Sequence, residues 1–128
     1  MISKDVHDDL TNTLTESILS ISLILKCIGN EKRLKILIDL LNGPLSYGNI
    51  VKKINLKKTA VSNHLSQLIR GDLIERDDYG IYKISGDGLE FLKAINRAFY
   101  ESPTRLMEKF ESMQKRKISD SFLKRYIG

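Results

Sequence analysis

Residues 56–70, LKKTAVSNHLSQLIR, constrain this chain more than any other stretch. Ala60, Val61, Leu65, Leu68 and Ile69 recur at helical spacing and make one apolar face, while Lys57, Lys58, Thr59, Ser62, Asn63, Ser66, Gln67 and Arg70 fall largely on the other. No Asp or Glu occurs in the fifteen positions. A solvated helix face ordinarily mixes both charge signs, so a polar face without acids suits a polyanionic partner. Charge along the chain agrees. Between residues 30 and 76 nine Lys/Arg stand against four Asp/Glu, whereas residues 1–29 hold two against four and residues 77–128 hold ten against eight. The overall charge of +5 is therefore concentrated in the middle third.

The neighbours of this stretch fix its context. From Asp5 to Ile28, Val6, Leu10, Leu14, Ile18, Ile21, Leu25 and Ile28 step by threes and fours, which predicts one long amphipathic helix. Leu19, Leu23 and Ile24 widen the stripe at its end, so that end should be buried, as between two subunits. Gly29 and Asn30 break the pattern as C-cap and N-cap. A second helix is expected over 31–42 with Leu34, Leu37, Ile38 and Leu41 inward, closed by Gly43 and Pro44. Ser46 can cap a third, through Ile54, and a turn at Asn55 and Leu56 leads into the basic stretch. Two short helices around a tight turn make a helix-turn-helix.

Residues 73–76 and 81–84 are β-type runs flanking Asp77-Asp78-Tyr79-Gly80, a hairpin that completes a wing. Leu89, Phe91, Leu92, Ile95 and Phe99 then mark a helix begun near Asp87, and Ser102-Pro103 restarts it. Ile118, Phe122 and Tyr126 add a weaker amphipathic pattern in a basic tail. The expected fold is mainly α with a small β-hairpin wing: an N-terminal dimerisation helix over 1–29, a winged helix-turn-helix over 30–85, and C-terminal dimerisation helices over 86–128. The apolar excess at 18–28, Phe91, Phe99, Leu106 and Phe110 motivates the homodimer.

Order of elements and residues together resemble an ArsR-type winged-helix transcriptional regulator over roughly 27–84, with MarR-like regulators next. NEKRLKILIDLL stands for the opening helix, LSYGNIVKKINLKKTAVSNHLSQLIRGDLIER for the helix-turn-helix and first wing strand, and GIYKIS for the second strand. TAVSNHLSQLIRGDLIER is the dense part, and SGDGLEFLKAI resembles the Gly-x-x-Phe-Leu helix start of several winged-helix families. The resemblance implies a sequence-specific regulator of double-stranded DNA. It makes Lys57, Lys58, Thr59, Ser62, Asn63 and Gln67 the groove-facing set, with Ser46 near a phosphate. His64, at the edge of the apolar stripe, reads either as a packed, hydrogen-bonded histidine or as one touching the DNA backbone.

The metal-sensing runs of that family are missing. YGNIVKK holds no Cys, His, Asp or Glu, and GLEFLKAINRAFYE offers Glu90 and Glu101 without a His. No metal or cofactor is therefore expected, and nothing in the sequence names a small-molecule effector. Asp77 and Asp78 stand where basic residues would favour a minor groove, which leaves Tyr79 and Lys83 as the wing's contact candidates and motivates an alternative, a winged-helix protein-interaction adaptor. Two His, one Cys and no Gly-rich phosphate loop assemble no catalytic constellation, so an enzyme is not expected. The single Cys27 reads as a packing residue or a redox sensor beside Lys26. The longest apolar run is interrupted by Ser20, Ser22 and Lys26, too polar to span a bilayer, and with no leader pattern a cytoplasmic location is expected.

Overall fold

A computed structural model describes the backbone of residues 4–126 and the side chains of residues 6–117. Residues up to Leu89 form one compact unit and those from Glu90 onward a second. In the first unit, helices α1 (Lys4–Glu16) and α2 (Ile18–Ile28) replace the single long helix read from the periodicity. They are separated by Ser17, whose φ of −109° and ψ of 16° leave the helical basin. The hydroxyls of Thr11, Thr13 and Thr15 each donate to the carbonyl four residues back. Such side-chain competition for helix carbonyls weakens and bends a helix, and apolar spacing alone is blind to it.

Helix α3 (Glu31–Leu40) begins at Asn30, whose side chain accepts from the Lys32 and Arg33 amides. Its inner face is rotated from the expected one. Ile36, Leu37 and Leu40 are buried, while Ile38 and Leu41 stay about half exposed. Helix α3 lies at the centre of the unit, against α2, helices α4 (Tyr47–Ile54) and α5 (Lys58–Arg70), and strand β3 (Ile81–Ile84). The face that touches the most neighbours is buried, and each large aliphatic so covered contributes about 1.5–3 kcal/mol.

Ser46 caps α4 by accepting from the Asn49 amide, and Asn55 ends it in the left-handed region at φ 54°. Val61, Leu65 and Leu68 of α5 are buried beneath it. A two-residue strand β1 (Leu45–Ser46), absent from the sequence reading, joins the expected hairpin of β2 (Ile74–Arg76) and β3. The sheet order is β1-β3-β2, with Leu45 opposite Tyr82 and Ile74 opposite Ile84. Helix α6 (Gly86–Glu101) starts on Ser85, a buried polar residue whose hydroxyl donates to the Asp72 carbonyl (2.7 Å) and accepts from the Gly88 amide (2.9 Å). Gly88 lies flat on the backbone of Leu73: a Cβ there would stand 2.2 Å from its carbonyl oxygen.

In the second unit α6 continues to Glu101, and Ser102 restarts the chain as α7 (Pro103–Tyr126), its hydroxyl accepting from the Arg105 amide. The Arg105 guanidinium lies 4.7 Å from the centre of the Phe99 ring, which meets Tyr100 edge to face. Leu106, Met107, Phe110 and Met113 remain exposed. The side chains of Ile118, Phe122 and Tyr126 lie outside the described residues.

Candidate nucleic-acid interface

Helix α5 presents its acid-free face to solvent. Lys57, Lys58, Thr59, Ser62, Asn63, Ser66 and Arg70 are exposed. At about 100° per residue, Ser66 falls in the middle of this face, so it joins the set although sequence reading left it out of the groove-facing group. Gln67 is half-buried at the margin. The helix starts at Lys57 with no side-chain cap and no acidic residue in its first turn. Its opening amides and two ammonium groups thus form an end that favours anions. Ser46 stands at the start of α4, where its oxygen accepts from the Asn49 amide and leaves the O–H as a donor.

One link across the motif is not visible in the sequence. Tyr47 opens α4, and its hydroxyl reaches α5, donating to the Lys58 carbonyl at 2.8 Å and contacting Ser62 Oγ at 2.9 Å. It ties the two helices of the motif together on their outer side. Only the resulting spacing of eleven and fifteen residues relates these groups, which no local pattern reveals.

The inner side of α5 meets the end of α2, and Arg33 of α3 reaches both. Arg33 donates from Nε to the Cys27 carbonyl (2.7 Å) and from Nη2 to the Lys26 carbonyl (3.0 Å), satisfying the C-terminal end of α2 with a cation. Its Nη1 lies 3.5 Å from His64 Nδ1. His64 is thereby turned toward α3. Burial, and secondarily the Arg33 charge, hold its pKa below the usual 6.5, so the ring stays neutral and accepts from the guanidinium. Cys27, 2% exposed, donates from Sγ to the Gln67 carbonyl at 3.3 Å. Its sulfur lies under α5, and a Cβ added at Gly71 would stand 3.0 Å from it.

The wing tip is built by one of its acids. Asp77 Oδ1 accepts from the amides of Tyr79 (2.8 Å) and Ile81 (2.9 Å), and Gly80 supplies the positive φ of 75°. That carboxylate organises the turn. Tyr79 is 90% exposed, while Lys83 reaches Glu75 at 3.4 Å across the strands, an exposed pair of little energetic weight. Among the described residues no group of three His, Cys, Asp or Glu could hold a metal ion, and no helix is long and apolar enough to cross a membrane.

A helix-turn-helix packed on a three-stranded sheet, with a hairpin following the second helix, defines a winged helix-turn-helix. Residues 30–76 match the profile of the bacterial regulatory protein, arsR family. Over 52 residues it is 40% identical to the transcriptional activator HlyU of Vibrio cholerae, a match covering 41% of this chain and 48% of that protein. The chain thus spans about half the length of this curated relative. The structure of reduced HlyU from Vibrio cholerae is similar with a TM-score of 0.57 at 26% identity, covering 68% of this chain and 96% of that one. A winged helix-turn-helix DNA-binding domain from Mycobacterium bovis, described as homodimeric, has a TM-score of 0.60 at 24% identity, covering 70% and 86%, and speaks for the fold alone.

Proposed function

We propose that this chain is a cytoplasmic, sequence-specific regulator of transcription that binds double-stranded DNA as a homodimer, with α5 in the major groove. One observation carries the reading: an exposed helix face bearing Lys57, Lys58, Thr59, Ser62, Asn63, Ser66 and Arg70, without an acid, at an uncapped helix start. Ammonium groups neutralise phosphates, Asn63 and Gln67 suit bidentate bonds to adenine, and short hydroxyls allow close approach. The family match and the activator role of HlyU support it.

The dimer rests on the unpartnered apolar side chains of α1 and α2, of which Leu10, Leu14, Ile18, Leu19 and Leu25 are exposed, Leu19 to 84%. A monomer in water leaves few such stripes open. Twofold symmetry sets paired recognition helices about one DNA turn, roughly 34 Å, apart on a pseudo-palindrome. Sedimentation at micromolar concentration and mobility shifts on random duplexes at two salt concentrations test both halves. A monomer that shifts no duplex in a salt-dependent way refutes the proposal. The adaptor alternative drew on the acidic wing, and the turn-building role of Asp77 removes much of that motive.

A further inference from the structure

Ser62 lies on the exposed face of α5, yet its hydroxyl has a partner from another helix. The Tyr47 phenolic oxygen is 2.8 Å from the Lys58 carbonyl oxygen and 2.9 Å from Ser62 Oγ. A carbonyl only accepts, so the single phenolic proton lies between Tyr47 and Lys58; two oxygens at that distance with no proton between them repel. The remaining contact is then closed by the serine, whose O–H donates to Tyr47 Oη. A helical serine ordinarily turns its O–H to the carbonyl four residues back. For Ser62 that carbonyl belongs to Lys58, which Tyr47 already occupies.

A free hydroxyl donates or accepts as a base edge demands and so discriminates weakly. Ser62 has its donor committed and turns only lone pairs outward. In a major groove, lone pairs match the exocyclic amino groups, N6 of adenine or N4 of cytosine, and are repelled by O6 of guanine and O4 of thymine. Building on the reading of α5 as the groove-bound helix, we infer that Tyr47 is a positioning residue for specificity: by filling the Lys58 carbonyl and taking the Ser62 proton itself, it keeps Ser62 Oγ from folding back onto its own helix and holds it outward as an acceptor, so the base facing Ser62 must present an amino group. Tyr47 does this without touching DNA.

The test is binding-site selection from random duplexes with the full chain, its Tyr47→Phe variant and its Ser62→Ala variant. Wild type is expected to prefer an amino-bearing base at one position by roughly three- to tenfold. Both variants flatten that position, Tyr47→Phe because the Ser62 O–H then folds back onto the freed Lys58 carbonyl and takes Oγ out of reach, and both leave the other positions and the salt dependence unchanged. A second arm needs no Tyr47 variant. Replacing the preferred adenine by purine lacking its 6-amino group, or cytosine by 2-pyrimidinone, costs wild type the same factor and costs Ser62→Ala nothing. Full retention of the preference in Tyr47→Phe, or a wild-type preference for guanine or thymine at the Ser62-dependent position, overturns the inference. A wild type that selects a site with no Ser62-dependent position overturns it as well and leaves the DNA-binding reading intact. A wild type that selects no site at any salt concentration refutes the reading of α5 itself, and this inference with it.

Discussion

Replacing Gly88 by alanine sets two effects of opposite sign against each other, and the structure decides between them. Gly88 is helical, and an alanine in a helix is favoured over glycine by about 1 kcal/mol. Against this, the new Cβ would stand 2.2 Å from the Leu73 carbonyl oxygen and 2.9 Å from Ile84 Cγ1. Neither neighbour can swing away cheaply, because Leu73 is fully buried and its carbonyl already accepts from the Ser85 amide at 3.1 Å. Overpacking of this kind costs about 1–3 kcal/mol. Backing α6 away also loosens the Ser85 bonds to Asp72 and to Gly88, worth about 1 kcal/mol each. The net expectation is destabilisation by about 2–4 kcal/mol. Urea unfolding followed by far-UV circular dichroism should show a lower midpoint with an unchanged slope. Gly86→Ala is the control, since a Cβ there meets nothing within 4 Å; it should be neutral or slightly stabilising. A Gly88→Ala protein as stable as wild type refutes the reasoning.

Three further outcomes are expected. Lys58→Ala should weaken binding to every duplex alike and lower the slope of log K against log salt by about 1, whereas Asn63→Ala should cost about 1–3 kcal/mol on the preferred site and relax one position, both read by titration at several salt concentrations. Gly71→Ala should destabilise less in a Cys27→Ala background than in wild type, because the sulfur 3.0 Å from the added methyl is gone; a double-mutant cycle in urea measures that coupling, and strict additivity contradicts it. Because His64 has its pKa lowered in the folded state, the unfolded chain binds more protons below the ordinary 6.5. Its share of stability is complete above that value and is lost as pH falls through the folded pKa, so His64→Gln should show a flatter midpoint than wild type from about pH 8 to about pH 5.

Much of the fold was legible because it is written locally. Asn30, Ser46, Asn55 and Ser102 announce helix ends by side-chain chemistry, and each acts within a few residues of itself. The rest depends on partners distant in the chain. Strand β1 has two residues, too few for an alternating pattern, and exists only because Tyr82 and Ile81 lie opposite. The inner face of α3 shares Leu37 with the expected one, and only the neighbours on its several sides select Ile36 and Leu40 over Ile38 and Leu41. The exposed set on α5 was readable from residue type and spacing, since a polar face without acids needs no knowledge of contacts. The bond from Tyr47 to Ser62 and the turn-building by Asp77 needed coordinates, because a phenol or a carboxylate in a sequence does not state its partner.

Arg33 and Cys27 join the end of α2 to the underside of α5 by direct side-chain contacts, with no linker between them. In a dimer held through α1 and α2, the distance between the two reading helices is then a property of rigid geometry. Inserting one base pair between half-sites moves one of them by about 3.4 Å and turns it by about 35° around the DNA axis, and no compliant segment absorbs the change. Such a protein measures as well as reads: an operator with both half-sites intact and a single added base pair at its centre should be bound as two unrelated halves.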